Sequence, residues 1–163
     1  MARQVFFTFH YQHDIWRVNT VRNHWLIKPN AQDAGFWDHS LWEEVKKKGD
    51  EAIKRMIEDG LAGSSVTAIL IGQETAGRKW VNYELTRSVT LGKGIMGIYI
   101  HNIANKDGLT DRQGHNPLDD WTIEQNGQNV KISSIYRTYD WRANNGYNNF
   151  AHWVEEATKQ AGR

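Results

Sequence analysis

The 163-residue sequence contains no cysteine. That excludes a disulfide framework, a thiolate nucleophile and a zinc–thiolate cluster. No stretch approaches the roughly 20 apolar residues that a membrane span needs. The N-terminal MARQVFFTFHYQHD also lacks the apolar core of a signal peptide, so a cytoplasmic protein with no membrane partner is expected. Charge of one sign is missing too: 20 Lys and Arg stand against 19 Asp and Glu, for a formal net charge of +1. No broad field therefore points to nucleic acid, and Lys46, Lys47 and Lys48 read as a solvated face. Small anionic ligands stay open. Neither a Walker A loop nor GxGxxG is present, which excludes phosphate or dinucleotide binding in those manners. No acidic pair follows the first apolar run, which argues against a receiver-like domain.

What is present is 39% apolar residues, 12% of the chain aromatic, enough for one continuous core and a single domain over residues 1–163. Short runs at 5–9, 66–71 and 95–100, rich in β-branched and aromatic residues, read as buried parallel strands. A weaker one lies at 35–37. Between them, Ile15, Val18, Val21 and Trp25 recur at helical spacing. So do Ala52, Ile53, Met56 and Ile57, with Gly60 placed to end that helix. Thr75 is placed to cap a third helix, in which Val81, Leu85 and Val89 form an apolar stripe. The alternation predicts a doubly wound α/β sheet. Residues 102–129 read as loop with a short hairpin at Asn126 and Gly127, 133–141 as extended, and 147–159 as a closing helix.

In open α/β sheets ligands sit beyond the carboxyl ends of the strands. The residues there are Phe9, His10 and Tyr11, then Asp38, His39 and Ser40, then Gly72, Gln73 and Glu74. Trp80 and Glu84 lie one turn apart on the following helix, and Glu84 flanks the apolar stripe. A carboxylate beside an indole suits an oxocarbenium-like transition state. On spacing alone, a surface ion pair of Glu84 with Arg87 or Arg78 is the stronger reading. His10 and His13 lack further ligands at metal-binding spacing, so no metal site is expected. Most of the tryptophans are core residues, with Trp37, Trp42 and Trp80 near the site edge, where one or two can stack on a base or nicotinamide.

VFFTFHYQHD, SLWEE, SSVTAILIGQETAGRKWVNYEL and SSIYRTYDW together resemble the TIR-like proteins of Thoeris antiphage defence, over nearly the whole chain. The middle block carries most of the likeness, because NAD-consuming TIR domains place a Trp four residues before a catalytic Glu, as Trp80 and Glu84 stand. The resemblance reverses the reading of Glu84. It implies a flavodoxin-like TIR fold, with a central parallel sheet flanked by helices in the order 2-1-3-4-5, residues 5–9 central and 66–71 beside them. It also implies cleavage of the nicotinamide–ribose bond of NAD, a substrate rather than a cofactor, to give nicotinamide and a cyclic ADP-ribose isomer. That isomer would be a second messenger to a separate NAD-depleting effector. Phe9, His10, Asp38, Ser40 and Trp80 would bind substrate. Two departures stand out: no coiled coil or leucine-rich region accompanies the module, and Val81 replaces the small residue that usually follows the motif Trp. Residues 23–34 fall where TIR domains carry a loop that contacts a neighbour, so self-association is expected. The alternative is a non-catalytic TIR module that only binds partners.

Overall fold

A run such as VTAILI, with no polar alternation, makes a stable strand only if both of its faces are covered. In the computed structural model, which describes residues 3–26, 31–34 and 39–162, with the backbone alone at 26, 31–34 and 39–42, this run is strand β3 (Val66–Ile71). Every one of its residues is buried. Strands β1 (Arg3–Thr8) and β4 (Gly94–Tyr99) pair with it in parallel. Beyond β1 lies β2 (Ala31–Ala34). A separate antiparallel hairpin, β5 (Thr122–Gln125) with β6 (Gln128–Lys131), precedes β7 (Thr138–Asp140), which closes the far edge of the main sheet. The main sheet runs β2-β1-β3-β4-β7 with all neighbours parallel, which is the expected 2-1-3-4-5 order. Its middle strand is β3, with β1 beside it, the reverse of the expected placement.

Helices α1 (Tyr11–Leu26), α2 (His39–Lys47), α3 (Asp50–Ala62), α4 (Lys79–Thr90) and α5 (Gly146–Gln160) complete the α/β alternation. The two-residue period of the strands assigns the layers. Val5, Phe7, Ala68 and Leu70 pack with Val18, Val21 and Trp25 of α1 and with Phe150 and Trp153 of α5. Phe6 packs instead with Ile53, Ile57 and Leu61 of α3, and Ile69 and Ile71 with Leu85 of α4. Helices therefore cover both faces, and the fold is the TIR-like α/β sandwich that the resemblance implies.

Several boundaries differ from expectation. A second strand is present at Ala31–Ala34, while residues 35–37, expected as strand, lie outside the described residues. An edge strand with the sequence AQDA carries little of the apolar signal that marks interior strands. Residues 23–26 finish α1 and 31–34 are strand, so the segment expected as a contact loop is largely regular structure. Helix α3 runs through Gly60 to Ala62, because Leu61 is fully buried against Phe6 and Ile57. That burial outweighs the roughly 1 kcal/mol that a helical glycine costs. Thr75 does not cap α4. Its Oγ1 accepts from the Gly72 amide at 2.8 Å, closing the turn after β3, and α4 begins later at Lys79. Residues 102–129 are more ordered than a loop, with a turn at Pro117–Asp120 anchored by the fully buried Leu118. The expected hairpin turn is present at Asn126 (φ 52°) and Gly127 (φ 80°), the two positive φ values of a type I′ turn. Within 133–141 only Thr138–Asp140 is strand. No helix among the described residues is long and apolar enough to cross a membrane.

Candidate active site

A cavity of about 430 Å³ opens at the carboxyl end of β1, between the starts of α1, α3 and α4. Phe9, His10, Trp80 and Glu84, all singled out from the sequence, line it together with Tyr11, Ile53 and Val81. Charged groups at its mouth are Lys46, Asp50, Arg78 and Lys79. Of the remaining predicted residues, Asp38 lies outside the described residues, as does Trp37. Ser40 falls in α2, where the backbone alone is described, and Trp42 likewise. Gln73 and Glu74 do not line the cavity: the Gln73 side chain accepts from the Arg112 amide at 3.1 Å, and Glu74 pairs with His13.

Glu84 does not flank the buried stripe of α4; it belongs to it. The buried positions are Val81, Glu84, Leu85 and Ser88, the i, i+3, i+4, i+7 set of one helix face. Its side chain is 7% exposed. Thr8, at the end of β1 and fully buried, donates its hydroxyl hydrogen to Oε2, while Oε1 has no hydrogen-bond partner among the described residues. Burial pushes the carboxyl pKa up to about 8, against the smaller downward effect of the Thr8 hydrogen bond. The arginines that the sequence offers as ion-pair partners are turned elsewhere. Arg87 Nε donates to Glu58 Oε1 at 2.6 Å, and Arg78 Nε to the Glu74 carbonyl at 3.0 Å.

Trp80 stands one turn before Glu84, its ring edge-on to Tyr83 at 5.7 Å and packed on the Phe6 and α3 cluster. Lys79 Nζ lies 4.8 Å from the indole centroid and pairs with Asp50. Phe9 stacks on Tyr11 with centroids 5.9 Å apart. Burial, with Arg78 adding to it, lowers the pKa of His10 and favours its neutral imidazole. The pocket thus combines flat aromatic walls, a buried carboxyl with one oxygen unengaged, and a polar mouth of mixed charge.

Beside it lies a cluster that sequence spacing does not reveal. His13 Nε2 lies 2.8 Å from Asp111 Oδ2, 98 residues away, and His13 Nδ1 is 3.2 Å from Glu74 Oε2. Asp14 is fully buried on α1, and burial raises its pKa to about 6. One ligand atom each from His13, Asp14 and Asp111 lies within 4.8 Å of the others, close enough for a metal ion. The cationic position is already taken. Arg17, 1% exposed, sits 2.8 Å from Asp111 Oδ2 and 3.5 Å from Asp14 Oδ1, an ion pair in both cases. Gly72 is needed at this corner, because a Cβ there would meet Asp14 Oδ2 at 2.2 Å.

Sequence reasoning passed over Thr8, Asp14 and Arg17. A signal for each exists. Strand alternation puts Thr8 on the same face as Phe6, toward α3 and α4. On α1, Asp14, Arg17, Val18 and Val21 share the i, i+3, i+4, i+7 pattern, so both charges belong to the buried face.

Residues 6–105 match the family model described as "Thoeris protein ThsB, TIR-like domain". That interval contains all six residues predicted for the site. Over 191 aligned residues the chain is 41% identical to a Bacillus cereus (strain MSX-D12) protein named "Putative cyclic ADP-D-ribose synthase ThsB1", covering 94% of this chain and 100% of that protein.

Proposed function

This chain belongs to the TIR-like family of the Thoeris protein ThsB, and from that premise we propose that it cleaves the nicotinamide–ribose bond of NAD with Glu84 as the catalytic carboxylate. The ADP-ribose that remains is closed into a cyclic isomer, an antiphage second messenger. The observation that carries this reading is the buried Glu84 carboxyl, one turn from Trp80, in an aromatic-lined pocket.

With no substrate beside it, a carboxyl with a pKa of about 8 is mostly neutral at pH 7. NAD brings a pyridinium cation. Placed beside Glu84, that cation favours the ionised carboxylate and expels the proton to solvent. The substrate thereby generates its own catalytic group. As the C1′–N bond breaks, its electron pair leaves with nicotinamide, which departs neutral and needs no protonation. Positive charge moves from the ring to the ribose, and a desolvated carboxylate stabilises it more strongly there than water would. A nucleophilic atom of the same ADP-ribose, folded back in the pocket, then bonds to C1′ and loses its proton. Phe9, Tyr11 and Trp80 supply flat surfaces for nicotinamide or adenine and displace water that would open the cation to the linear product. Lys46, Arg78 and Lys79 at the mouth suit the diphosphate. Asp38 and Ser40 are proposed as further substrate contacts. NAD is a substrate here, and no cofactor or metal takes part.

The partners that follow are NAD, a separate NAD-depleting effector that recognises the cyclic product, and a second copy of the chain through TIR–TIR contact. Incubating purified protein with NAD tests the reaction. Nicotinamide release with a nucleotide one water lighter than ADP-ribose is the expected outcome. Linear ADP-ribose alone would leave only a hydrolase, and no nicotinamide would leave the partner-binding reading.

A further inference from the structure

A glutamate on a helix has three side-chain torsions, and burial alone does not choose between the two oxygens of its carboxyl. At Glu84 the choice is made from the sheet. Thr8 is the last residue of β1, fully buried, and on the strand face that meets α4. Its backbone is fixed by pairing, with Thr8 opposite Ile69 of β3. Its side chain is β-branched and stiff at χ1, so the direction of the hydroxyl follows from the strand. That hydroxyl has a single hydrogen to donate, and it goes to Oε2 of Glu84.

We infer that Thr8 is the positioning residue of the catalytic carboxyl: by holding Oε2 it fixes the plane of the carboxylate and leaves Oε1 as the one oxygen that meets substrate. The inference rests on the proposed role of Glu84 and makes it more specific. Glu84 would accept from the nicotinamide ribose through one oxygen, and the substrate hydroxyls would not bridge both. The same contact stabilises the ionised carboxylate in a place where burial opposes it, because the bond from Thr8 is the single described interaction that favours charge on this group. The other titratable groups around the cavity are His10 and Tyr11 after β1, with Lys46 and Asp50 from α2 and α3 and Arg78 and Lys79, where α4 begins, at its mouth. None of them makes a hydrogen bond to Glu84.

The test separates position from mere packing. Thr8→Val keeps the shape and strand preference and removes the hydroxyl, Thr8→Ser keeps the hydroxyl, and Thr8→Ala serves if Thr8→Val does not fold. In the full chain, carboxyl carbon NMR follows the titration of Glu84 directly. Loss of the hydroxyl should move that titration upward by about one unit, the scale of one hydrogen bond to a charged group. In turnover with NAD, kcat should fall by roughly tenfold with little change in KM, and the acidic limb of the pH profile should shift with the NMR titration. Thr8→Ser should restore both. An unmoved Glu84 titration in the hydroxyl-free variants overturns the inference, whether or not the protein turns over NAD. Glu84→Gln, run alongside, tests the catalytic reading by itself: full turnover in that variant would remove the role of Glu84 while the NMR result on Thr8 stands.

Discussion

At Glu84 two requirements oppose each other. Burial raises the energy of the charged form, and the proposed chemistry needs that form. Glu84→Gln should leave the fold intact and reduce nicotinamide release by about two orders of magnitude, the scale of losing one transition-state electrostatic contact. The same variant should stabilise the protein in a pH-dependent way. The folded-state pKa of about 8 lies above the ordinary glutamate value of 4.5, so the folded chain holds a proton that the unfolded chain releases between those values. The contribution of Glu84 to stability is therefore fully present below about 4.5 and is lost as pH rises through about 8. Thermal melts should show Glu84→Gln gaining over wild type at pH 8.5 and much less at pH 5. A constant difference across that range would contradict the buried, neutral carboxyl. Catalysis should follow the opposite slope. The kcat/KM for NAD reports the free protein and should climb as pH passes through about 8. The acidic limb of kcat should lie lower, because bound pyridinium already favours ionisation. Coincident limbs would argue against ionisation driven by substrate.

Among the described elements, α1 is the one whose buried face carries an ion pair as well as apolar residues. Its buried face carries Asp14 and Arg17 with Val18 and Val21, and through Arg17 it holds the segment after β4. Arg17 Nε donates to the Ile103 carbonyl at 2.6 Å and Nη2 to the Leu109 carbonyl at 2.9 Å, while Nη1 faces the two aspartates. Arg17→Met should cost about 3–5 kcal/mol in denaturant unfolding, since it strands the buried Asp14 without a counter-charge and leaves two carbonyls unpaired. Arg17→Lys should recover little, because one ammonium cannot reproduce a fork that reaches two carbonyls and two carboxylates. A loss below about 1 kcal/mol in Arg17→Met would mean that Asp14 takes up a proton at little cost. The same guanidinium bears on metals: with that cation between Asp14 and Asp111, EDTA should not alter turnover. Loss of activity on chelation, restored by an added divalent ion, would place a metal at His13 after all.

For the molecule as a whole, the two sides of one sheet share every strand between them, so neither helical layer can come away without exposing the other. Val5 and Phe7 serve one core while Phe6, between them, serves the other. We therefore propose that residues 1–163 unfold as one cooperative domain, with far-ultraviolet circular dichroism and tryptophan fluorescence giving coincident transitions. Two separated transitions would divide the chain. The pocket depends on this unity, since β1, α3 and α4 each bring part of it.

The sequence by itself determined which segments become interior strands, because a run such as VTAILI is stable only where both faces are covered, and that settled the α/β class; the strand order came from the family resemblance, and only the structure put β3 rather than β1 at the centre. The sequence also placed Trp80 and Glu84 one turn apart, as helical spacing dictates. Edge strand β2 left little trace in the sequence, since an edge needs less burial. What surrounds Glu84 was undecided by spacing, which offered Arg87 and Arg78 as partners at least as readily as a pocket. Tertiary structure decided it by drawing Arg87 to Glu58 of α3 and by setting Thr8 against the carboxyl, a contact across 76 residues of sequence. It also decided the setting of His13, whose partner Asp111 is 98 residues away. Spacing along the chain can report which residues share a helix face or a strand face, but the charge, solvation and hydrogen-bond partners of a side chain are set by what the fold packs against that face.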